Sequence, residues 1–263
     1  MINFVEWNWV YEKDRSEHWI SVDNEENFAK ALEAMPENWH YGHKQITYDL
    51  NSQGFRNLEF DQIDWNNSIV VVGSSQVFGL GLASEETLCG RLREHYGKKY
   101  DVVNLGMIAG SNRVSMINLS KIYAQGYKPV AVVFMWTALL KFPYYGDDNR
   151  IVPTGFWSCL EDANPHIREW YTNRIKHVAH YVREQEYYPE IIRAICGDSI
   201  LINASFFCLE KAGKSIFLTT ESLPSEVISL EIVDYSRDLN HPGPKSNAQA
   251  YAQIVKLLTE SGV

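Results

Sequence analysis

The chain has little of what marks a nucleic-acid binder, a disulfide scaffold or a membrane protein. Its 24 Lys and Arg are outnumbered by 33 Asp and Glu, giving a formal charge of −9. No basic stripe interrupts that balance, so no nucleic-acid partner is expected. There are four cysteines in 263 residues, Cys89, Cys159, Cys196 and Cys208. None forms a C-x-x-C pair or other metal spacing, so buried free thiols are expected rather than disulfides or a zinc site. No run approaches the roughly 18 apolar residues of a membrane span, and Met1–Trp7 lacks a basic-then-apolar leader. No membrane partner is therefore expected. A cytoplasmic location follows by default, although a phage particle would leave the same trace.

Nucleotide and metal signatures are also missing. The G-x-G-x-x-G fingerprint and the P-loop lysine are absent. His177 and His180 stand three apart but have no acidic or thiol partner nearby, which favours a plain surface helix face over a metal site. Asp147-Asp148-Asn149 lacks the glycine and glutamate of a calcium loop and reads as a turn. No cofactor and no metal are expected.

What remains is a globular chain, 45% hydrophobic and 22% charged, long enough for a sizeable core. Ser68–Val72 and Val130–Trp136 are short, continuous apolar runs, the pattern of strands buried on both faces. Tyr100–Leu105 reads as a strand between them. Helices are expected from near Ser84 to Gly97, over Asn112–Gln125, in two stretches up to Gly213, and over Ser246–Leu258. A fourth strand is expected at Ser215–Thr219 and a weaker extended segment at Ile228–Val233. Thr137–Pro165 reads as an irregular insertion. The alternation predicts an α/β fold with a parallel sheet and helices on both faces, whose ligands sit at the carboxyl ends of the strands. Residues 1–45 read as an N-terminal extension packed on the domain formed by residues 46–263, with a short helix at Asn24–Met35.

Two segments stand out because each follows a strand position. One is Gly73-Ser74-Ser75, followed by Gly79 and Gly81. The other is Asp238-Leu239-Asn240-His241-Pro242-Gly243, ahead of the last helix. A serine hydroxyl is a weak nucleophile unless a base lies within hydrogen-bond reach, and Asp and His three apart can both project from one tight turn. Either segment alone is as well read as an ordinary turn, and Gly73–Ser75 alone could also cradle a phosphate.

Taken together, in this order, the two segments resemble the first and last blocks of the SGNH (GDSL-type) hydrolases. Asn51-Ser52-Gln53-Gly54-Phe55-Arg56 resembles a lead-in found ahead of the catalytic strand in relatives. The resemblance covers roughly residues 46–260. It implies a three-layer αβα sandwich of flavodoxin-like type, with Ser75 as nucleophile, His241 as proton carrier and Asp238 as the residue that orients it. It implies a serine esterase or deacylase working through an acyl-enzyme, with O-acetyl groups on a carbohydrate as one substrate reading. The implied partner is a small-molecule or glycan ester; the oligomeric state is not readable.

The resemblance also implies an oxyanion hole built from the Ser75 N–H, a glycine after the second strand and an Asn after the third. Gly110 is the best match for that glycine, with Ala109 or Gly106 reached by small register shifts. The third block departs from the pattern. Phe134-Met135-Trp136-Thr137-Ala138-Leu139 contains no Asn, which leaves the Thr137 hydroxyl or Asn112 as replacements. Ser74 stands where the family usually has Asp. These departures keep open a second reading, a weakly active or inactive binding module on the same scaffold. A nucleotide-binding flavodoxin-like protein is a third. The aromatics Trp136, Tyr144 and Tyr145, with Phe142, Phe156 and Trp157, read equally as a substrate wall or as packing of the insertion.

Overall fold

A computed structural model describes residues 2–5, 15–146, 151–161, 163–206 and 227–263. In chain order these residues form β1 (Arg15–Glu17), α1 (Glu25–Ala34), β2 (Tyr48–Leu50), β3 (Ser68–Gly73), α2 (Ser75–Phe78), α3 (Leu88–Tyr96), β4 (Asp101–Gly106) and α4 (Asn112–Ala124). They continue with β5 (Ala131–Met135), β6 (Phe142–Tyr145), β7 (Ile151–Thr154), α5 (Pro165–Ile175), α6 (Val178–Glu186), α7 (Tyr188–Cys196), β8 (Ile200–Ser205), β9 (Ile228–Ser229) and α8 (Pro244–Glu260).

The central sheet has the order β4-β3-β5-β8-β9, and every neighbouring pair is parallel. Successive side chains of a strand point to opposite faces, so each apolar run feeds two cores at once. Val70, Val72, Val103, Leu105, Val132 and Phe134 pack against α4 and α7. Ile69, Val71, Val102, Val133 and Met135 pack against α3 and α8. The result is the three-layer α/β arrangement expected from the alternation, with β3 between β4 and β5 and the chain crossing outward from it on both sides. Fully burying one such aliphatic side chain contributes about 1.5–3 kcal/mol, so the two faces of the sheet dominate the stability.

Two expectations need correction. The stretch read as helix up to Gly213 contains β8, whose polar Asn203 and Ser205 interrupt the apolar run by which a buried strand is recognised. The expected strand Ser215–Thr219 lies outside the described residues, as does Cys208. The expected pair of helices is three, because the first breaks between Ile175 and Val178, while Pro189 falls in the first turn of α7, where a proline fits.

The insertion is ordered rather than irregular: β6 and β7 form an antiparallel pair, and Tyr171 and Gln185 donate to the carbonyls of Leu140 and Leu139 at 2.9 Å each. Asp147-Asp148-Asn149 lies outside the described residues. Contacts run across the boundary expected at residue 45. β1 pairs antiparallel with β2, and Ile2 and Phe4 are buried in the main core. Asn24 caps α1 by accepting from the Asn27 N–H at 2.9 Å. Cys89 and Cys196 are buried free thiols and Cys159 is a partly buried one. Among the described residues no helix is long and apolar enough to cross a membrane.

Candidate active site

Ser75 stands one residue beyond β3, after Ser74, and opens the short helix α2. Two neighbours hold that helix against the sheet. A Cβ on Gly106 would lie 2.2 Å from the Phe78 nitrogen, so only glycine at the end of β4 lets α2 settle there. Asn104 donates to the Val77 carbonyl at 3.0 Å and accepts from the Gly106 N–H at 2.8 Å. Arg56, from the lead-in segment, is buried and donates to the carbonyls of Gly79 at 2.8 Å and Leu82 at 3.0 Å. Burial lowers its pKa.

Asp238 and His241 arrive from the far end of the chain on the loop before α8. His241 Nε2 lies 2.8 Å from Ser75 Oγ, and His241 Nδ1 lies 2.5 Å from Asp238 Oδ2. An ionised carboxylate can only accept, so Nδ1 carries the hydrogen, and in the neutral ring Nε2 is left to accept from the Ser75 hydroxyl. The second Asp238 oxygen accepts from Ser236 Oγ at 2.7 Å and from the backbone N–H groups of Asn240 and His241 at 3.0 and 3.1 Å. Burial works against the Asp238 charge. The hydrogen bond and charge of His241, with the Ser236 and Asn240 bonds, nevertheless hold its carboxyl below the usual range. The His241 side chain is 18% exposed and that of Asp238 is 0% exposed, so the imidazole forms the open edge of the trio.

The turn between them is strained. Leu239 has φ +56, a left-handed conformation that costs a non-glycine residue about 1–2 kcal/mol. Ala109, in the loop after β4, has φ +60. Of the three non-glycine residues with positive φ among those described, two therefore lie in the loops around Ser75, where stored strain concentrates at functional sites.

The sequence reading missed what holds the Asp–His loop. Arg237 donates through Nε to Asp23 Oδ1 at 2.8 Å and through Nη2 to Asp23 Oδ2 at 2.6 Å and the His18 carbonyl at 2.7 Å. Its guanidinium lies over the Trp19 ring, 4.0 Å from the centroid. Tyr48 donates to the same Asp23 carboxylate and accepts from the Gly81 N–H at 2.8 Å. One buried network thus joins the N-terminal segment, the segment after α2 and the residue beside Asp238. No local pattern announces a contact between residues 23 and 237.

The oxyanion donors need revision. Ser75 opens a helix, so its N–H has no intrahelical partner. Gly110 is not a free donor, because its N–H is spent on the Met107 carbonyl at 2.8 Å. The neighbouring Ala109 N–H has no protein partner among the described residues, and Ala109 holds a left-handed φ of +60. Asn112 is not a donor either. Its amide gives both hydrogens away, to the Thr137 carbonyl at 3.1 Å and Gln185 Oε1 at 2.9 Å, while its oxygen accepts from the Thr137 N–H at 2.8 Å. Asn112 instead fixes the turn after β5. Thr137 Oγ1 is buried and has no hydrogen-bond partner among the described residues.

Trp136 does not face a substrate: it is 1% exposed, packs on Phe134 and donates to Asn203 Oδ1 at 3.0 Å. Tyr144 packs edge-on against Trp170, with ring centroids 5.1 Å apart, and Tyr145 is exposed on the hairpin. His177 and His180 are exposed, and His177 precedes α6 rather than sharing a helix face with His180. No group of three or more His, Cys, Asp or Glu side chains is placed to hold a metal among the described residues.

Lys141 was also missed. Its Nζ donates to Ser74 Oγ at 2.9 Å, one residue from Ser75, and burial pulls its pKa down to about 8. The available signal was that Lys141 is the one charged residue between Trp136 and Tyr145.

No protein-family model and no curated protein matches the chain. Among solved structures, the crystal structure of TesA aligns over 73% of this chain and 97% of its own, at 14% identity and a TM-score of 0.41. The psychrotrophic esterase EstA from Pseudoalteromonas sp., inhibited by monoethylphosphonate, aligns over 73% and 99%, at 17% identity and a TM-score of 0.31. AlinE4, an SGNH-hydrolase family esterase, aligns over 75% and 97%, at 13% identity and a TM-score of 0.27.

Proposed function

We propose that the chain is a serine hydrolase that cleaves a small acyl ester through an acyl-enzyme on Ser75. The carrying observation is that one imidazole, His241, lies within hydrogen-bond distance of both Ser75 Oγ and Asp238. Ser75 Oγ attacks the ester carbonyl as its proton passes to His241 Nε2. The oxygen that gains charge is stabilised by the Ser75 and Ala109 N–H groups and by the Thr137 hydroxyl, which has no partner among the described residues. The ester C–O bond then breaks and His241 returns the proton to the leaving alcohol. Water, deprotonated by His241, attacks the acyl-enzyme, releases the acid and restores the Ser75 hydroxyl. Asp238 stays ionised throughout and stabilises the imidazolium.

A carbohydrate carrying O-acetyl groups remains the substrate reading drawn from the sequence. The exposed Tyr145 and Phe156 near the insertion are its support, because aromatic faces stack on sugar rings. The rival reading, a binding module with an inert triad, draws on the missing third-strand Asn. The Thr137 hydroxyl, without a partner among the described residues, weighs against it. Hydrolysis of 4-nitrophenyl acetate by the purified chain, abolished in Ser75→Ala, is the expected result. Equal hydrolysis by Ser75→Ala would overturn the assignment.

A further inference from the structure

The chain carries a net charge of −9, yet one pocket is cationic. It is lined by Arg113, Lys141 and Arg174 against a single carboxylate, Glu184, with Phe142 and Tyr181 among its apolar walls. Glu184 is already engaged: it accepts from the Tyr188 hydroxyl at 2.9 Å and faces Arg113 at 3.9 Å. Lys141 reaches from this pocket to Ser74 and has no carboxylate partner among the described residues. Arg174 has none either. Its guanidinium is surrounded by the rings of Trp170 at 4.4 Å, Tyr181 at 5.0 Å and Phe142 at 5.7 Å.

Aromatic faces hold a guanidinium flat while leaving its N–H edges to donate, and that fork matches the two oxygens of a carboxylate or phosphate. Removing cations from water without a counter-charge is unfavourable, and it is relieved when a ligand brings the negative charge. The pocket is also rigidly built. Asn112 and Gln185, both in its wall, bond to each other and to the turn after β5 from which Lys141 projects.

We propose that this pocket receives an oxyanion group, a carboxylate or phosphate, carried by the ester substrate, with Arg174 and Lys141 as its ligands. The placement follows from Lys141, which spans from the pocket to the residue before Ser75. The inference rests on the Ser75 reading for the reaction, and the anion site itself can be tested apart from it.

The experiment compares two esters of matched length, 4-nitrophenyl butyrate and the anionic 4-nitrophenyl hemisuccinate. The native protein is expected to favour the anionic ester in kcat/KM by about tenfold, the equivalent of one net ionic contact at about 1.4 kcal/mol. Arg174→Gln and Lys141→Met are each expected to remove most of that preference through KM, and Arg174→Lys to retain part of it. Equal use of both esters by the native protein, or a preference untouched in both variants, would overturn the proposal. Calorimetric titration with succinate covers the case in which neither ester is turned over. Binding that is lost in Arg174→Gln then supports the anion site while the esterase reading fails, and absence of binding overturns the site as well.

Discussion

Arg237 and Asp23 stand 214 positions apart in the chain and meet in a two-pronged ion pair that leaves both side chains almost without solvent contact, 3% and 1% exposed. The residue after Arg237 is Asp238. The segment that precedes the sheet therefore anchors the loop that brings Asp238 and His241 to Ser75. Removing one partner of a buried pair leaves the other as an uncompensated charge, which costs about 3–5 kcal/mol. Asp23→Asn is expected to lower the urea midpoint by a corresponding amount and to reduce kcat, because the loop loses its anchor. An Asp23→Asn protein with native stability and full kcat would show that the pair does not position the loop.

Thr137→Val separates a structural hydroxyl from a working one. The hydroxyl has no partner to lose among the described residues, so the near-isosteric change is expected to leave the melting temperature unchanged or slightly raised. Loss of an oxyanion donor costs about 10²–10³ in kcat, and a fall toward that range is expected with little change in KM. An unchanged kcat would remove Thr137 from the hole.

Trp136 tests the corrected reading of the aromatics. As a fully buried side chain it should cost about 3–5 kcal/mol when cut to alanine, read from urea denaturation. The milder Trp136→Phe should fold and hydrolyse esters with the native KM. A tenfold or larger rise in KM in a folded Trp136→Phe protein would restore a substrate-contacting role.

Lys141 sets a pH dependence of stability. Its pKa falls on folding from 10.5 to about 8 because burial disfavours the ammonium. Below the lower value both folded and unfolded chains carry the charge, and the folded chain bears the whole desolvation cost. Between the two values the unfolded chain binds more protons, so this group makes the protein more stable as pH rises through that window. The gain in urea midpoint between about pH 7 and about pH 10 should therefore be smaller in Lys141→Met than in the native protein. An identical gain in both would show that Lys141 does not titrate there.

Much of this architecture was legible in the sequence because the parts concerned are local. β3 and β5 are buried on both faces, so each had to be a continuous apolar run, and each was read within a residue or two of its observed bounds. Ser75, Asp238 and His241 were legible because two short motifs carry them. β8 was not, because Asn203 and Ser205 make its carboxyl-terminal half polar and the following run at Ser215–Thr219 looks more strand-like. Which N–H is left for an oxyanion was not legible, because it depends on which N–H a turn has already used. Gly110 has the right residue type, but its N–H is bonded, whereas the Ala109 N–H has no partner among the described residues. Trp136 looked like a wall residue because it ends a strand, but strand alternation turns it into the same core as Phe134. The Arg237–Asp23 pair and the Lys141–Ser74 contact join segments far apart in sequence, and no spacing rule reaches them.

The central claim is that Ser75 is an activated nucleophile. The most direct test is to treat the purified protein with a fluorophosphonate probe and to locate the adduct by mass spectrometry. The account predicts one adduct, on Ser75, present in the native protein and lost in His241→Ala. An adduct elsewhere, or none under conditions that label a known serine esterase, would contradict it.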